Sequence, residues 1–274
     1  MGTLNSLYGP AKPVLYEKRR LARSRKSAEG AAIILISNAE TAMTAFVLPV
    51  PPTPSVAISG SAERFAVRRI FCVGRNYAAH AREFGNDERD PPFFFTKPAD
   101  AVVDSGTVIP YPPLTTNLHH EIELVAAIGK AGFRIPRERA LDHVWGYAVG
   151  IDLTRRDLQD EAKKAARPWD WSKAFDRSAP CGPLVPAQKT GHPTKARIWL
   201  AVDGKVRQDA DLTELIWPIA DIVSICSEGV ELQAGDLIFT GTPAGVGAVN
   251  PGETMTGGVD GIGTIEATIG QPQS

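Results

Sequence analysis

From residue 65 onward the chain is dominated by short apolar runs, some alternating with polar residues and some continuous, separated by Gly, Pro and Asp. Eight of these runs read as strands: FAVRRIFCVG (65–74), FFFTK (93–97), TVIPY (107–111), IELVAAIG (122–129), VWGYAVGIDL (144–153), ARIWLAVDG (196–204), DLIFTG (236–241) and GIGTIEATIG (261–270). Helical spacing is rarer. TRRDLQDEAKKAA (154–166) opens with Thr154 three residues before Asp157, which resembles a capping box, and is stopped by Pro168. IADIVSICSEGVEL (219–232) repeats apolar residues at helical intervals, and NYAAHAREFG (76–85) ends at a glycine. Strands do not alternate regularly with long helices, which argues against doubly wound and TIM-barrel folds. The pattern predicts an α+β, mainly β protein: a mixed β-sandwich or β-roll with peripheral helices. VLPVPPTP (47–54) is too rich in proline for a helix or a central strand, so residues 1–54 are expected to be a poorly ordered extension and lead-in, and residues 55–272 the folded domain.

Composition narrows the partners more than the fold. The 274 residues carry a formal net charge of −1, which gives no global field to draw in nucleic acid or an anionic membrane, and small molecules become the expected ligands. No apolar run reaches the roughly 18 residues of a membrane span. Cys72, Cys181 and Cys226 are far apart and odd in number, which fits a reducing cytoplasm and three free, buried thiols without catalytic duty. Residues 12–26 are basic and poor in acids, as targeting segments are, but no clean cleavage site follows the apolar run AAIILI (31–36), and the extension is read as bearing no function.

Candidate chemistry centres on NLHHEIEL (117–124). On a strand, Glu121 and Glu123 project from one face, and Asp152, at the end of GYAVGID, offers a third carboxylate. His119 and His120 are adjacent rather than one helical turn apart, which disfavours zinc; an all-oxygen set suits Mg2+ or Mn2+. The alternative is that both glutamates form the solvent face of an edge strand and Asp152 caps a helix.

The segments FCVGRNYAAHAREFG, FFFTKP, NLHHEIELVAAIG, YAVGIDLTRRDLQ, KAFD and DLIFTGTPAGVG, in this order over residues 67–269, together resemble the fumarylacetoacetate hydrolase superfamily, in its short acylpyruvase and fumarylpyruvate hydrolase branch. The resemblance implies a mixed β-roll, a homodimer, and one Mg2+ or Mn2+ per subunit held by Glu121, Glu123 and Asp152. It also implies a lid-helix dyad, His80 oriented by Glu83, and an active-site lysine, Lys173. Substrate contacts fall on Arg75, Lys97, Arg156, Gln159 and Thr242, with support of the metal shell as the alternative for Lys97; Thr242 lies in the turn TGTPAGVG (240–247), which lacks the signature of a phosphate loop. Arg155 is read as a surface charge, His119 as support for the metal ligands, and Trp145, Trp169, Trp171, Trp199 and Trp217 as core or dimer contacts. The loop after the dyad, GNDERDPP (85–92), is expected to close over substrate.

The activity implied is metal-dependent hydrolysis of a carbon–carbon bond in an acylpyruvate, with fumarylpyruvate, from gentisate-type aromatic degradation, as the expected substrate and fumarate and pyruvate as products. Two alternatives use the same parts: an oxaloacetate decarboxylase working through a stabilised pyruvate enolate, and, more remotely, a non-catalytic metal-dependent binding protein.

Overall fold

The computed structural model describes residues 46–77 and 91–273. Residues 51–274 form one compact unit; of residues 1–50, positions 46–50 are described, and they are exposed and carry neither helix nor strand. The helix expected from residue 76, the lid loop, and with them His80 and Glu83, fall outside the described residues apart from Asn76 and Tyr77.

Strand outnumbers helix, as the patterning predicts. An eight-stranded mixed sheet runs, in hydrogen-bonded order, through Phe93–Lys97, Arg69–Gly74, Asp236–Phe239, Ile122–Ile128, Val144–Ile151, Ala179–Cys181 and Val102–Asp104, with Val185–Pro186 also pairing to Val144–Ile151. A five-stranded sheet contains Lys205–Asp211, Arg197–Val202, Thr254–Val259, Gly263–Gly270 and Thr107–Pro110. Three of these ten-odd edges are parallel; the rest are antiparallel.

The strand Ile122–Ile128 is buried along its whole length. Its alternation therefore separates two cores instead of a core and a solvent face. Ile122, Leu124, Ala126 and Ile128 join the larger core, which includes Ile198, Leu200 and Met255 of the five-stranded sheet and Ile222 and Val223 of the helix Ile219–Gly229. Val125 and Ala127 join the smaller core on the opposite face, with Val56, Ile70, Cys72 and Phe239. All three cysteines are free and buried.

A third sheet, of three short strands, positions the site. Leu118–His120 is flanked by Thr154–Arg155 and Gly247–Ala248. Each of these strands continues from, or leads into, a strand of the eight-stranded sheet. The run expected as one strand over 118–128 is thus interrupted at Glu121, where the chain passes from the small sheet to the large one. Its neighbour does the same between Ile151 and Thr154, and the amide of Asp152 donates to the carbonyl of Glu121 at 2.8 Å across the joint. The third crossing, after Phe239, turns at Gly241, whose φ of +98° and whose distance of 2.7 Å from a built Cβ to the Cβ of Asn76 leave room for no side chain.

The helix expected from Thr154 begins instead at Arg156 and runs to Lys164. Thr154 is no cap, because its hydroxyl donates to the carbonyl of Asp152 at 3.2 Å while the residue pairs with His119 in the small sheet. Of the tryptophans expected as core or dimer contacts, Trp171 is exposed (75%) and so is not a core residue, whereas Trp145 packs on Phe65.

Asp236 anchors the parallel strand pair. Fully buried, it accepts from Arg68 (3.2 Å), Arg69 (3.1 and 2.7 Å) and the amide of Gln233 (2.9 Å). Asp236→Ala strands these donors and is expected to lower unfolding free energy by about 2–4 kcal/mol. Arg68→Ala removes one half-exposed partner and should cost no more than about 1 kcal/mol. Urea unfolding of both variants checks the ranking; equal losses would show that Asp236 carries no special weight.

Candidate active site

At the three crossings, carboxylate oxygens of Glu121, Glu123 and Asp152 all lie within 4.8 Å of one another. Glu123 comes from the large sheet; Glu121 and Asp152 come from the joints. Exposures of 6%, 2% and 0% overturn the alternative of a solvent-facing edge strand and a capping aspartate.

Such a cluster needs positive charge, and the chain supplies it from three directions. Lys173, at the end of the short helix Asp170–Lys173, donates to Asp152 Oδ2 (2.6 Å), Glu121 Oε2 (2.8 Å) and the Thr154 hydroxyl (2.6 Å). Burial pushes its pKa down, but Asp152 and Glu121 more than compensate, and it is raised above the ordinary lysine value. Lys97 approaches Asp152 Oδ1 to 2.8 Å and donates to the carbonyls of Leu153 (3.1 Å) and Lys173. Arg156 donates to Glu121 and Gln159, and its Nε faces His119 Nδ1 at 3.3 Å. Burial and then Arg156 hold the His119 pKa down at about 4, so its free lone pair accepts from Arg156 while Nε2 donates to Asn117 at 2.9 Å.

Glu123 stands apart. Among the described residues it has no ion pair; its one hydrogen-bond donor is the amide of Gly241, at 2.8 Å from Oε2. Burial first, and then the charges of Asp152 and Glu121, raise its pKa well above the carboxylate range. A buried carboxylate beside two others, with no cation of its own, is the feature that an added divalent ion would satisfy. The donor atoms nearest are oxygens, with no thiolate or imidazole in the cluster, which fits a hard cation such as Mg2+ or Mn2+.

These residues line a small cavity of about 30 Å³, whose walls also include Arg75, Gln159 and Thr242. Of the residues expected from sequence, Lys97 is not in this wall: it lies behind Asp152 with every described contact made to protein. Arg155 is not a surface charge but is 5% exposed and turned away from the cavity that Arg156 lines. Phe95, Trp169 and Lys163 also line the cavity and were not anticipated. Phe95 was findable, since Phe93, Phe95 and Lys97 share one face of their strand. With Trp169 at 5.1 Å from Phe93 and 5.7 Å from Phe95, the aromatic rings continue into a larger neighbouring cavity of about 430 Å³.

Two buried amides with no sequence signal frame the centre. Gln208 accepts from the Ile122 amide (3.1 Å) and lies 3.0 Å from His120 Nδ1, while its Nε2 donates to Thr242 Oγ1 (2.8 Å) and the Pro243 carbonyl (2.9 Å). It clamps the Thr242 turn to the Glu121 joint. Asn76 donates to the carbonyls of Thr240 (2.7 Å) and Trp217 (3.0 Å) and accepts from the Trp217 amide (2.8 Å), fixing the other side of the same turn.

Known proteins are similar to this chain in sequence and fold. A fumarylpyruvate hydrolase from Ralstonia is 45% identical over 178 residues, covering 65% of this chain and 92% of that protein. An oxaloacetate tautomerase of Rattus norvegicus mitochondria is 42% identical over 195 residues, 71% of this chain and 88% of the relative. The crystal structure of a fumarylpyruvate hydrolase from Pseudomonas aeruginosa, in complex with Mn2+ and pyruvate, superimposes with a TM-score of 0.79 at 57% identity, covering 81% of this chain and 98% of that one. The family model described as "Fumarylacetoacetate (FAA) hydrolase C-terminal" matches residues 69–270, the span that holds the eight-, five- and three-stranded sheets and the carboxylate cluster, and the chain belongs to that family.

Proposed function

We propose that the protein is a divalent-metal-dependent hydrolase that cleaves a carbon–carbon bond of an acylpyruvate, with fumarylpyruvate as substrate and fumarate and pyruvate as products. The observation that carries this reading is the buried triad of Glu121, Glu123 and Asp152 with the Lys173 ammonium placed among them. The similarity to fumarylpyruvate hydrolases supports the choice of substrate.

In this reading the three carboxylates hold the ion. When bound, a divalent cation supplies Lewis acidity that stabilises negative charge on the oxygens of a pyruvate-like group. The chain's own residues do the rest. Lys173 contributes a fixed ammonium, packed 5.0 Å from the centroid of Phe95, at the wall where negative charge develops. Arg156 is oriented by Gln159 and Glu121, and Arg75 lies 5.4 Å from the Phe93 centroid, so both present guanidinium groups to an acidic substrate. Lys97 positions Asp152 and the backbone of Lys173 instead of touching substrate. Activation of the attacking water is assigned, from sequence, to His80 paired with Glu83. Addition of water across the scissile bond then yields one carboxylic acid and one pyruvate.

A second reading keeps the same centre but acts on oxaloacetate, as a decarboxylase without a water base. It is favoured by the likeness to a mitochondrial oxaloacetate decarboxylase of Dictyostelium discoideum, 39% identical over 198 residues, and the described residues serve either chemistry.

Pyruvate release from fumarylpyruvate, acetylpyruvate and oxaloacetate, each with Mg2+, Mn2+ or chelator, separates the two. Fumarylpyruvate is expected to turn over fastest, with chelator lowering the rate at least about a hundredfold; release from oxaloacetate alone would replace the hydrolase with the decarboxylase. His80→Ala should lower fumarylpyruvate turnover by ~10²–10⁴-fold with metal affinity unchanged. A loss under tenfold would remove His80 from water activation. Thermal unfolding tests the ligand set directly: at a hundredfold excess over Kd, Mn2+ is expected to raise Tm by about 5–10 °C in the native protein. The increment should vanish in Glu123→Gln, whose amide can still accept from Gly241. A Tm rise retained in that variant would take Glu123 out of the metal site.

A further inference from the structure

Arg155 and Arg156 leave the same strand-to-helix turn for different cavities. Arg156 lines the catalytic one; Arg155 lines a separate cavity of about 360 Å³, walled by Tyr111, Pro112, Trp171 and Phe175, with Arg177 also contributing. The Arg155 guanidinium lies 4.3 Å from the centroid of Phe175. Its single hydrogen bond among the described residues runs from Nη1 to the Trp171 carbonyl at 3.2 Å, and the buried Nε has no acceptor.

A guanidinium carries five donors and stays charged, so one on a residue only 5% exposed, with a buried Nε that meets no acceptor, a single long hydrogen bond and no ion pair among the described residues, is an unusual burden on the fold. Asp176 shares the cavity wall but makes no ion pair with it among the described residues. Burial accordingly depresses the Arg155 pKa, against the pull of Asp176 and Asp157. An anion in the cavity would give these donors their acceptors. Around the guanidinium the walls are rings and prolines with few further donors, which suits one delocalised negative charge on a flat apolar body better than a heavily hydrated phosphate.

We propose that this cavity is a binding site for a small aromatic carboxylate: Arg155 receives the carboxylate, and Tyr111, Trp171 and Phe175 enclose the ring. The Arg155 bond to the Trp171 carbonyl ends two residues before Lys173, so an occupant that recruits Nη1 acts on the short helix that carries the active-site lysine. The site is independent of which reaction the carboxylate triad performs.

Isothermal titration of the full-length protein with sodium benzoate, alongside acetate and benzamide, tests the site. Saturable binding of one benzoate per chain is expected, with acetate, which lacks the ring, and benzamide, which lacks the charge, at least about tenfold weaker. Arg155→Met should weaken benzoate at least about tenfold, and Trp171→Ala, at an exposed position that the fold tolerates, about three- to tenfold. The proposal is overturned by an absence of saturable binding, or by benzoate affinity unchanged in Trp171→Ala and in Arg155→Met, which would place the ligand elsewhere. It is equally overturned if Trp171→Ala halves the sedimenting mass, because the cavity would then be a contact between copies of the chain.

Discussion

Three carboxylates buried within 4.8 Å of one another are the constraint on which this molecule is organised. At that separation each pair of like charges repels by roughly 3–4 kcal/mol for an effective dielectric of about 20. Nothing in a hydrophobic sheet interior offsets that. Lys97, Lys173 and Arg156 do so for Glu121 and Asp152, each reaching the cluster from a different element. Among the described residues Glu123 is left with a backbone amide, so it is the carboxylate that an added cation would best complement.

The fold meets the constraint by bending strands instead of lengthening side chains. Three strands of the eight-stranded sheet pass into the three-stranded sheet at one level, and the residues at those joints turn their side chains into a shared space. Glycine at 241 permits the third crossing. Gln208, reaching from the five-stranded sheet, and Asn76 lock the resulting turn through buried amide bonds. Because each amide uses both its donor and its acceptor side, losing either one strands several buried partners at once.

Two cavities meet at Phe95, Trp169 and Lys173: a small one lined by the carboxylates and cations, and a larger one walled by Phe93, Phe94, Phe95 and Trp169. Arg155 is a further buried cation, close to the site but not in it.

Much of this was legible in the chain. Short apolar runs punctuated by Gly, Pro and Asp were enough for a mainly β architecture; alternation along a strand put Glu121 and Glu123 on one face, but the spacing alone left a solvent-facing edge strand open, and the family resemblance was needed to favour a carboxylate cluster. Order and spacing of six motifs were enough for the family. What local pattern could not show was the break at Glu121, the entry of Thr154 into a sheet instead of a helix cap, or the burial of Arg155 beside an exposed Trp171. Those depend on which strand lies alongside, and pairing partners are distant in sequence. Gln208 and Asn76 were invisible for the same reason: an amide has no sequence signature until the groups it bridges, 34 to 164 residues away, have been brought to it. The sequence by itself therefore determined which charges are present and how they are spaced along each strand. Only the tertiary structure decided which are buried together, because burial and pairing belong to contacts between strands and not to any one of them.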